Sequence, residues 1–288
     1  MNAKFLRITT EDNLILQGII YVSDKPTKKA YLHIHGMAGN FYENKFLDVM
    51  AEELTNNDYA FMSINTRGHD IIADFPIVGT EEKYKRIGDA YEKFEECLLD
   101  IKPAIDYLSK NGYKEIILCG HSLGAVKVAY YIAKTQDFRV QKLILMSPPD
   151  MIGLAEADSH HTDYLAESHK MISEGRGGEL LVGKIWDWYR LSADTYVDLN
   201  TRDYPVDVFN TYDKTKASLL SEIKIPTIAF LGEKDDAAIL PQREALEVIK
   251  SKATNALVFD IDIIEGASHS YFGREKMMAQ RIVKWLNK

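Results

Sequence analysis

The sequence has few cysteines, no long apolar run and no excess of basic residues. Its 288 residues include 2 cysteines, too few for a disulfide framework or a thiolate metal site. No stretch approaches the roughly 20 apolar residues of a membrane span, and Met1–Thr10 lack the apolar core of a signal peptide. These absences predict a cytoplasmic protein with no membrane span, no bound metal and reduced thiols at Cys97 and Cys119.

The charge balance limits the possible partners. The chain has 35 lysines and arginines against 43 aspartates and glutamates, which gives a formal net charge of −8. Such a chain lacks the general phosphate-binding surface of nucleic-acid-binding proteins. Its content of 46% hydrophobic and 27% charged residues is typical of a soluble globular protein that buries a large core. The composition therefore argues against nucleic acid as the main partner.

Predicted strands and helices alternate along most of the chain. Two segments of β type, Lys4–Thr9 and Leu14–Val22, are joined by a polar turn and predict an N-terminal hairpin. The other predicted strands are Ala30–His35, Tyr59–Asn65, Glu115–Cys119, Lys142–Met146, Thr227–Leu231 and Ala256–Ile264. The predicted helices are Asn44–Asn56, Ile87–Lys110, Ser122–Lys134, Pro241–Ser251 and Arg274–Leu286. Because short, continuous apolar strands are buried on both faces, the pattern indicates the α/β class, with a mostly parallel eight-stranded sheet flanked by helices.

One segment departs from this alternation. About 80 residues between Ser147 and Pro226 contain no clear central strand, and a structureless loop of that length is improbable in a compact domain. We interpret residues 148–225 as a mostly helical cap inserted into a core domain made of residues 1–147 and 226–288. The alternative is an extra packing layer that has no part in substrate binding.

The most specific motif is the pentapeptide Gly120-His121-Ser122-Leu123-Gly124, which follows a predicted strand and begins a predicted helix. A nucleophile elbow requires this strand–turn–helix context. The turn is too sharp for a side chain at either glycine, and it presents the serine hydroxyl beyond the end of the sheet. Since a helix N-terminus favours developing negative charge, the motif predicts Ser122 as a catalytic nucleophile.

A serine hydroxyl needs a base, and in this type of fold an acid and then a histidine follow the serine along the chain. His269 lies in a loop directly after the last predicted strand and is the predicted base. The preceding strand ends in a Gly-x-x-Asp turn that favours Asp235 as the acid, with Asp236 as the main rival. The acid orients the histidine and stabilises its imidazolium form. Asp260 and Asp262 are weaker candidates because they lie within a predicted strand.

The loop after the strand Ala30–His35 is the predicted site of a second oxyanion donor. It reads His-Gly-Met-Ala-Gly-Asn over residues 35–40, at the position where hydrolases of this fold place such a loop. The predicted donors are the backbone N–H groups of Met37 and Leu123. A donor of this kind typically stabilises the transition state by ~3 kcal/mol. We interpret His35 itself as a structural residue that holds the loop.

Three other polar residues have competing interpretations. Arg67 follows the strand Tyr59–Asn65 and could bind a substrate carboxylate, but an arginine at this position more often braces neighbouring loops through backbone carbonyls. His160 and His161 are adjacent in the predicted cap. Adjacent residues do not share a helical face, so we interpret them as solvated residues and not as a metal pair.

Aromatic residues in the predicted cap are candidate substrate-binding residues. They either pack the cap onto the sheet or line an acyl or aromatic pocket. The set comprises Trp186, Trp188, Tyr189 and Tyr212.

Along nearly its whole length the chain resembles the α/β-hydrolase superfamily, through the elbow, the His-Gly loop, the Gly-x-x-Asp turn and the late histidine. This resemblance implies the α/β-hydrolase fold. A narrower resemblance involves two segments, one from Met171-Ile172 through Gly175-Arg176-Gly177-Gly178-Glu179-Leu180 and a later one, Tyr189-Arg190-Leu191-Ser192. These are similar to the cap of the fungal siderophore (fusarinine-type) esterases and their uncharacterised bacterial relatives, which implies hydrolysis of an ester that links hydroxamate-like acyl units.

The motifs together predict a serine hydrolase that cleaves a carboxylic ester of a small molecule through an acyl-enzyme on Ser122, without a cofactor. A thioesterase, lactonase, amidase or acyltransferase would use the same residues, so these alternatives stay open. A serine at the elbow excludes related chemistries that need an aspartate there, such as haloalkane dehalogenation. The rival from another class is a non-catalytic receptor that keeps the fold and binds a small ligand.

Overall fold

One sheet of eight strands forms the centre of the computed structural model, which describes residues 2–288. The strands in chain order are β1 (Asn2–Thr9), β2 (Ile15–Val22), β3 (Lys29–Ile34), β4 (Tyr59–Ile64), β5 (Asp74–Pro76), β6 (Tyr84–Arg86), β7 (Glu115–His121), β8 (Val140–Met146), β9 (Thr227–Lys234) and β10 (Phe259–Ser268). The short strands β5 and β6 form a separate hairpin that the sequence did not predict. The other strands make the sheet in the order β1-β2-β4-β3-β7-β8-β9-β10.

The strand directions identify the end of the sheet at which a functional site is expected. β1 and β2 are antiparallel, as are β2 and β4. All other neighbours in the sheet are parallel. The predicted mostly parallel eight-stranded sheet is therefore confirmed. The carboxyl ends of the parallel strands meet at one edge, where ligands of open α/β sheets bind.

Helices cover both faces of the sheet. They are α1 (Lys45–Asn56), α2 (Cys97–Lys110), α3 (Leu123–Thr135), α4 (Met151–Ala157), α5 (His161–Ser173), α6 (Ala193–Asn200), α7 (Gln242–Lys252) and α8 (Glu275–Leu286). Successive residues of a strand point to opposite faces, so Ile117 of β7 packs in the core beneath α1 and α8. Its neighbour Leu118 packs in the core beneath α2, α3 and α7. The continuous apolar strands of the sequence thus supply two cores.

The prediction of one helix over Ile87–Lys110 was wrong in its first half. The α-helix begins at Cys97, after a short 3₁₀ turn over Phe94–Glu96. Gly88 has a φ of +77°, and a side chain there would come within 2.7 Å of Ile72 Cα. The N–H groups of residues 88–90 donate to the carbonyls of residues 67, 70 and 71. These tertiary hydrogen bonds replace the helical ones that the sequence pattern suggested.

Residues 148–225 carry α4, α5, α6 and a 3₁₀ turn over Leu219–Glu222. Two isolated bridges, Leu180 with Ser192 and Ile185 with Tyr189, order the stretch between α5 and α6. The segment therefore has helices but no strand of the central sheet. Its separation from the rest as a cap domain stays a prediction.

None of the helices in residues 2–288 combines the length and apolar character that a bilayer span requires. Cys97 and Cys119 are both buried as free thiols. Burial raises the pKa of the Cys119 thiol to about 12 and raises that of Cys97 as well. Both thiols are therefore protonated and poorly nucleophilic.

The turn between β7 and α3 is unusually tight. Ser122 has a φ of +56° and a ψ of −128°, a conformation that costs a non-glycine residue of order 1–3 kcal/mol. A side chain at Gly120 would collide with the backbone of Gly124, and one at Gly124 would collide with the carbonyls of Ile34 and His35. The two glycines therefore let β3, β7 and α3 approach closely enough to present the serine.

We expect Gly124→Ala to lower the free energy of unfolding by at least about 2 kcal/mol, because the new methyl group overlaps fixed backbone atoms. Urea unfolding monitored by circular dichroism would measure the change. Gly178→Ala is the matched control, since the space around Gly178 is open to 4 Å, and its effect should stay within about 0.5 kcal/mol. Equal stability of the two variants would contradict the close packing of the turn.

Candidate active site

Two adjoining cavities open where the parallel strands end. The larger, of about 400 Å³, is lined by Met37, Ser122, Pro149, Met151, Leu154, Trp186, Tyr189, Asp236, Ala237 and His269. The smaller, of about 200 Å³, is lined by residues 36–39, Glu43, Asn44, His121, Ser122, Trp188, Tyr189, His269 and Ser270. Ser122 and His269 line both cavities, so the cavities meet at the predicted nucleophile and base.

The predicted acid and base form a hydrogen-bonded pair. The Nδ1 of His269 lies 2.8 Å from Oδ1 of Asp235, and the same oxygen accepts the N–H of Ala237 at 3.1 Å. The Asp235 side chain is fully shielded from solvent. Burial alone would raise the pKa of its carboxyl, but the hydrogen bond and the charge of His269 outweigh burial and lower the pKa below its ordinary value. Asp235 is therefore ionised at neutral pH.

The rival acids occupy other positions. Asp236 is exposed and lies on the wall of the larger cavity. Asp260 accepts the indole N–H of Trp285 at 2.9 Å, and Asp262 accepts a hydrogen bond from Arg281 at 3.1 Å. Both lie within β10, as the sequence indicated. The structure therefore pairs His269 with Asp235 and with none of the rivals.

The backbone of the histidine loop is held by residues that sequence reasoning did not assign to the site. The carbonyl of His269 accepts a hydrogen bond from Nε2 of His121 at 2.9 Å. The hydroxyl of Ser147 lies 3.2 Å from the same carbonyl and 2.9 Å from the Tyr271 hydroxyl. Burial lowers the pKa of His121 to about 3, so its ring is neutral. The position of His121 inside the elbow motif was the only signal for this role.

The loop over residues 35–40 packs directly against Ser122, the predicted nucleophile. A side chain at Gly36 would come within 2.7 Å of Ser122 Cβ. The N–H of Gly39 donates to the carbonyl of Gly36 at 3.0 Å and closes a turn around Met37. Within residues 2–288, the N–H groups of Met37 and Leu123 make no backbone hydrogen bond in a loop or turn. The role of these two N–H groups as oxyanion donors stays a prediction.

His35 holds this loop, as the sequence suggested. Its ring is buried. Nδ1 donates to the carbonyl of Gly36 at 2.7 Å, and Nε2 accepts the N–H of Thr66 at 3.0 Å. Burial lowers the pKa of His35 well below its ordinary value. The neutral ring therefore links the loop after β3 to the loop after β4.

Arg67 is a bracing residue and does not reach the cavities. Its side chain is completely buried. The guanidinium donates to Asp100 at 2.9 Å, Glu96 at 2.7 Å and Asp12 at 3.1 Å. The backbone N–H of Arg67 also donates to Asp100. The bracing interpretation is therefore correct, but it acts through carboxylates and not through backbone carbonyls.

Three of the four predicted aromatic residues reach the cavities. Trp186 and Tyr189 line the larger one, and Trp188 and Tyr189 line the smaller one. The rings of Trp186 and Tyr189 meet edge to face with centroids 6.1 Å apart. Reciprocal backbone hydrogen bonds between Ile185 and Tyr189, of 2.8 and 2.9 Å, hold the intervening turn.

Tyr212 is not among the residues that line either cavity. Its hydroxyl donates to Asp207 at 2.8 Å, and its ring lies beneath the charged groups of Arg202 and Lys216. The apolar wall of the larger cavity comes instead from Pro149, Met151 and Leu154. These residues follow β8 directly, and that position was the signal available in the sequence.

Two groups of residues could suggest a metal. His161 lies 2.9 Å from the Tyr196 hydroxyl, and the exposed ring of His160 lies 3.2 Å from Asp158. Elsewhere, possible ligand atoms of Asp235, Asp236 and His269 lie within 4.8 Å of one another. That proximity follows from the hydrogen bond between Asp235 and His269, so it carries no separate indication of a metal.

Several solved structures have the same architecture and align with nearly the full length of this chain. Est1E from Butyrivibrio proteoclasticus, with ferulic acid bound, is 18% identical with a TM-score of 0.65, and the match covers 98% of this chain and 97% of that one. The esterase Pf2001 from Pyrococcus furiosus is 17% identical with a TM-score of 0.66, covering 99% and 90%. The α/β hydrolase GrgF from Penicillium sp. sh18 is 16% identical with a TM-score of 0.71, covering 99% and 98%. At these identities the likeness establishes the fold.

The family follows from the sequence itself. No curated protein matches the chain significantly. The family profile described as "Serine aminopeptidase, S33" matches residues 25–276, a range that contains the elbow, the donor loop, Asp235 and His269. The chain therefore belongs to the S33 serine aminopeptidase family and is a serine hydrolase with the α/β-hydrolase fold.

Proposed function

We propose that the protein hydrolyses a carboxylic ester of a small molecule, with Ser122 as nucleophile, His269 as general base and Asp235 as the acid that orients the base. The observation that carries the proposal is the 2.8 Å hydrogen bond from Nδ1 of His269 to the buried Asp235. With Nδ1 protonated, Nε2 of His269 is left as an acceptor for the serine proton. His269 and Ser122 line the same cavities.

Acylation begins when Ser122 Oγ attacks the ester carbonyl and His269 takes its proton. The carbonyl oxygen becomes an oxyanion that accepts the N–H groups of Met37 and Leu123. Collapse of the tetrahedral intermediate breaks the bond to the alcohol oxygen, which leaves with the proton from His269. Water, activated by the same histidine, then releases the acid and restores Ser122.

The supporting groups stabilise two different charges, the imidazolium and the oxyanion. Ionised Asp235 stabilises the imidazolium that forms at His269 in both half-reactions. The N–H of Leu123 lies at the first turn of α3, where the helix dipole also favours negative charge. A single backbone donor of this kind typically accounts for ~3 kcal/mol of transition-state stabilisation.

The walls of the cavities support the proposed substrate class. Met151, Leu154 and Trp186 give the larger cavity an apolar wall, which suits an aliphatic or aromatic group on one side of the ester. The names of two structural neighbours, the Pyrococcus esterase and Est1E with ferulic acid bound, favour an ester. An ester between hydroxamate-like acyl units remains the prediction from the cap resemblance.

An amidase is the second candidate, because the family is described as a serine aminopeptidase. The same residues would act on an amide, with His269 protonating the leaving amine. A panel of matched ester, thioester, lactone and amide substrates would separate the candidates. Faster turnover of any class other than esters would replace the ester proposal.

We expect a fluorophosphonate probe to label Ser122, because only a serine activated by a base reacts readily with it. Peptide mass spectrometry would locate the adduct, and Ser122→Ala should abolish labelling. Absence of labelling in folded protein, together with tight binding of a ligand that is released unchanged, would favour the receptor alternative.

The two adjacent acids offer a direct comparison. Asp235→Asn should lower kcat by about 10,000-fold, because the amide no longer stabilises the imidazolium or fixes its tautomer. Asp236→Asn is the matched control and should stay within about fivefold of the parent, since Asp236 is exposed and unpaired with His269. Steady-state kinetics on a chromogenic ester would measure both. A larger loss for Asp236→Asn would assign the acid to that residue instead.

The aromatic residues can be compared in the same way. Trp186→Ala should change the ratio of kcat/KM between bulky and short esters by about tenfold, because it opens the wall of the larger cavity. Tyr212→Ala removes an aromatic ring that lies outside both cavities and should leave the ratio within about twofold of the parent. Unchanged ratios in both variants would show that Trp186 does not select the substrate.

A further inference from the structure

The proposed base lies on a loop that starts far across the sheet from the proposed nucleophile. His269 follows the edge strand β10, whereas Ser122 follows β7, and the strands β8 and β9 lie between them. Three strand spacings correspond to about 14 Å. His269 and Ser122 nevertheless line the same cavities. Contacts outside the strand pairing must therefore hold the loop after β10 over the end of β7.

The hydrogen bond between His269 and Asp235 does not provide such a contact. Asp235 follows β9, the direct neighbour of β10 in the sheet, so the bond joins only the two strands at that edge. Among residues 2–288, the His269 ring hydrogen bonds to no side chain other than Asp235. The bond orients the ring and fixes its tautomer. The distance from the ring to Ser122 depends on where the backbone of residue 269 is held.

His121 connects that backbone to the strand that carries the nucleophile. It is the last residue of β7 and directly precedes Ser122. Its Nε2 lies 2.9 Å from the carbonyl oxygen of His269. Because a carbonyl oxygen only accepts, Nε2 carries the proton of the neutral ring. The two imidazole rings have centroids 4.9 Å apart, so a neutral His121 adds no positive charge beside the imidazolium that forms at His269.

A second donor reaches the same carbonyl. Ser147 directly follows β8, and its hydroxyl lies 3.2 Å from the carbonyl oxygen of His269 and 2.9 Å from the hydroxyl of Tyr271. Since a hydroxyl has one proton, Ser147 donates to the carbonyl and accepts the proton of Tyr271. The N–H of Tyr271 donates to the carbonyl of Ser268 at 3.0 Å and closes the turn that contains His269. The turn is thus attached to the ends of both β7 and β8.

We propose that His121 is a positioning residue for the general base, because its Nε2–H bond to the His269 carbonyl holds the base within reach of Ser122. Ser147 supports the same carbonyl. His121 takes no part in bond making and acts through His269. The inference rests on the proposed function, in which His269 is the general base. Without the His121 bond the turn shifts, and a displacement of about 1 Å is enough to lower a rate by about 100-fold.

Four variants test this role. His121→Met removes the donor, whereas His121→Gln has a side chain of the same length and keeps an N–H group near its end. His33→Met is the matched control: His33 is also buried, its ring packs on Phe46 as that of His121 does, and its Nδ1 has no hydrogen-bond partner within residues 2–288. Ser147→Ala removes the second donor and replaces His121→Met if that variant does not fold. Circular dichroism and thermal denaturation measure the folding of each variant.

The kinetic readout separates positioning from a merely structural role. We expect His121→Met to lower kcat per labelled Ser122 at least about tenfold, with KM within about twofold of the parent. The rate constant for fluorophosphonate labelling should fall by a similar factor, because labelling also needs the base. Ser147→Ala should lower kcat about fivefold, while His121→Gln and His33→Met should each keep kcat within about threefold of the parent.

Proton NMR gives an independent readout. The Nδ1 proton of His269, which is shared with Asp235 in a short hydrogen bond, should give a low-field resonance that is lost in Asp235→Asn. We expect this resonance to persist in His121→Gln and His33→Met. It should broaden or disappear in His121→Met, because the turn that carries His269 is no longer held.

Three outcomes overturn the inference while leaving the proposed function intact. In the first, His121→Met melts at a lower temperature but keeps its kcat per active site and its rate of labelling; for Ser147→Ala as the replacement, an unchanged kcat has the same meaning. In the second, His33→Met loses as much kcat as His121→Met. In the third, His121→Gln restores nothing. Wild-type protein that neither labels at Ser122 nor turns over an ester would instead overturn the proposed function, and this inference with it.

Discussion

The close approach of three chain segments at the elbow governs the geometry of the whole site. Gly120 and Gly124 have no room for a side chain because α3 leaves β7 against the carbonyls at the end of β3. Gly36 in turn packs against Ser122. One contact region therefore fixes the serine, the first turn of α3 and the donor loop together. A substitution that separates these segments would disturb the predicted nucleophile and both predicted oxyanion donors at once.

A set of buried charges lies beneath this contact region. Arg67 pairs with Asp100, and Lys127 pairs with Glu92, with all four side chains essentially shielded from solvent. Buried ion pairs contribute little net stability because desolvation offsets their attraction. Their effect here is geometric. They join the loop after β4, the segment over residues 88–92, and helix α3, which begins directly after Ser122.

Much of the fold and the centre of the site could be predicted from the sequence because their determinants are local. Continuous apolar runs identify buried strands, and the elbow, the His-Gly loop and the Gly-x-x-Asp turn each occupy consecutive residues. The start of α2 could not be predicted in this way. The helical pattern begins at Ile87, and it is overruled by hydrogen bonds to residues 67, 70 and 71, which are distant in the sequence.

Contacts between distant residues also decide which of the predicted aromatic residues line the cavities. Tyr212 is aromatic like Trp186 and Tyr189, but its hydrogen bonds with Asp207 and Lys216 hold it outside both cavities. Composition therefore identified which residue types could matter, and the tertiary contacts decided which of them reach the site.

The meeting of two cavities at one serine has a consequence for how specificity can diverge among homologues. The wall formed by Pro149, Met151 and Leu154 belongs only to the larger cavity, and the wall formed by Glu43 and Asn44 belongs only to the smaller one. These walls come from segments about a hundred residues apart in the chain. Substitutions in one of these walls can therefore change the shape of one cavity while the other cavity and the shared Ser122 and His269 stay unchanged.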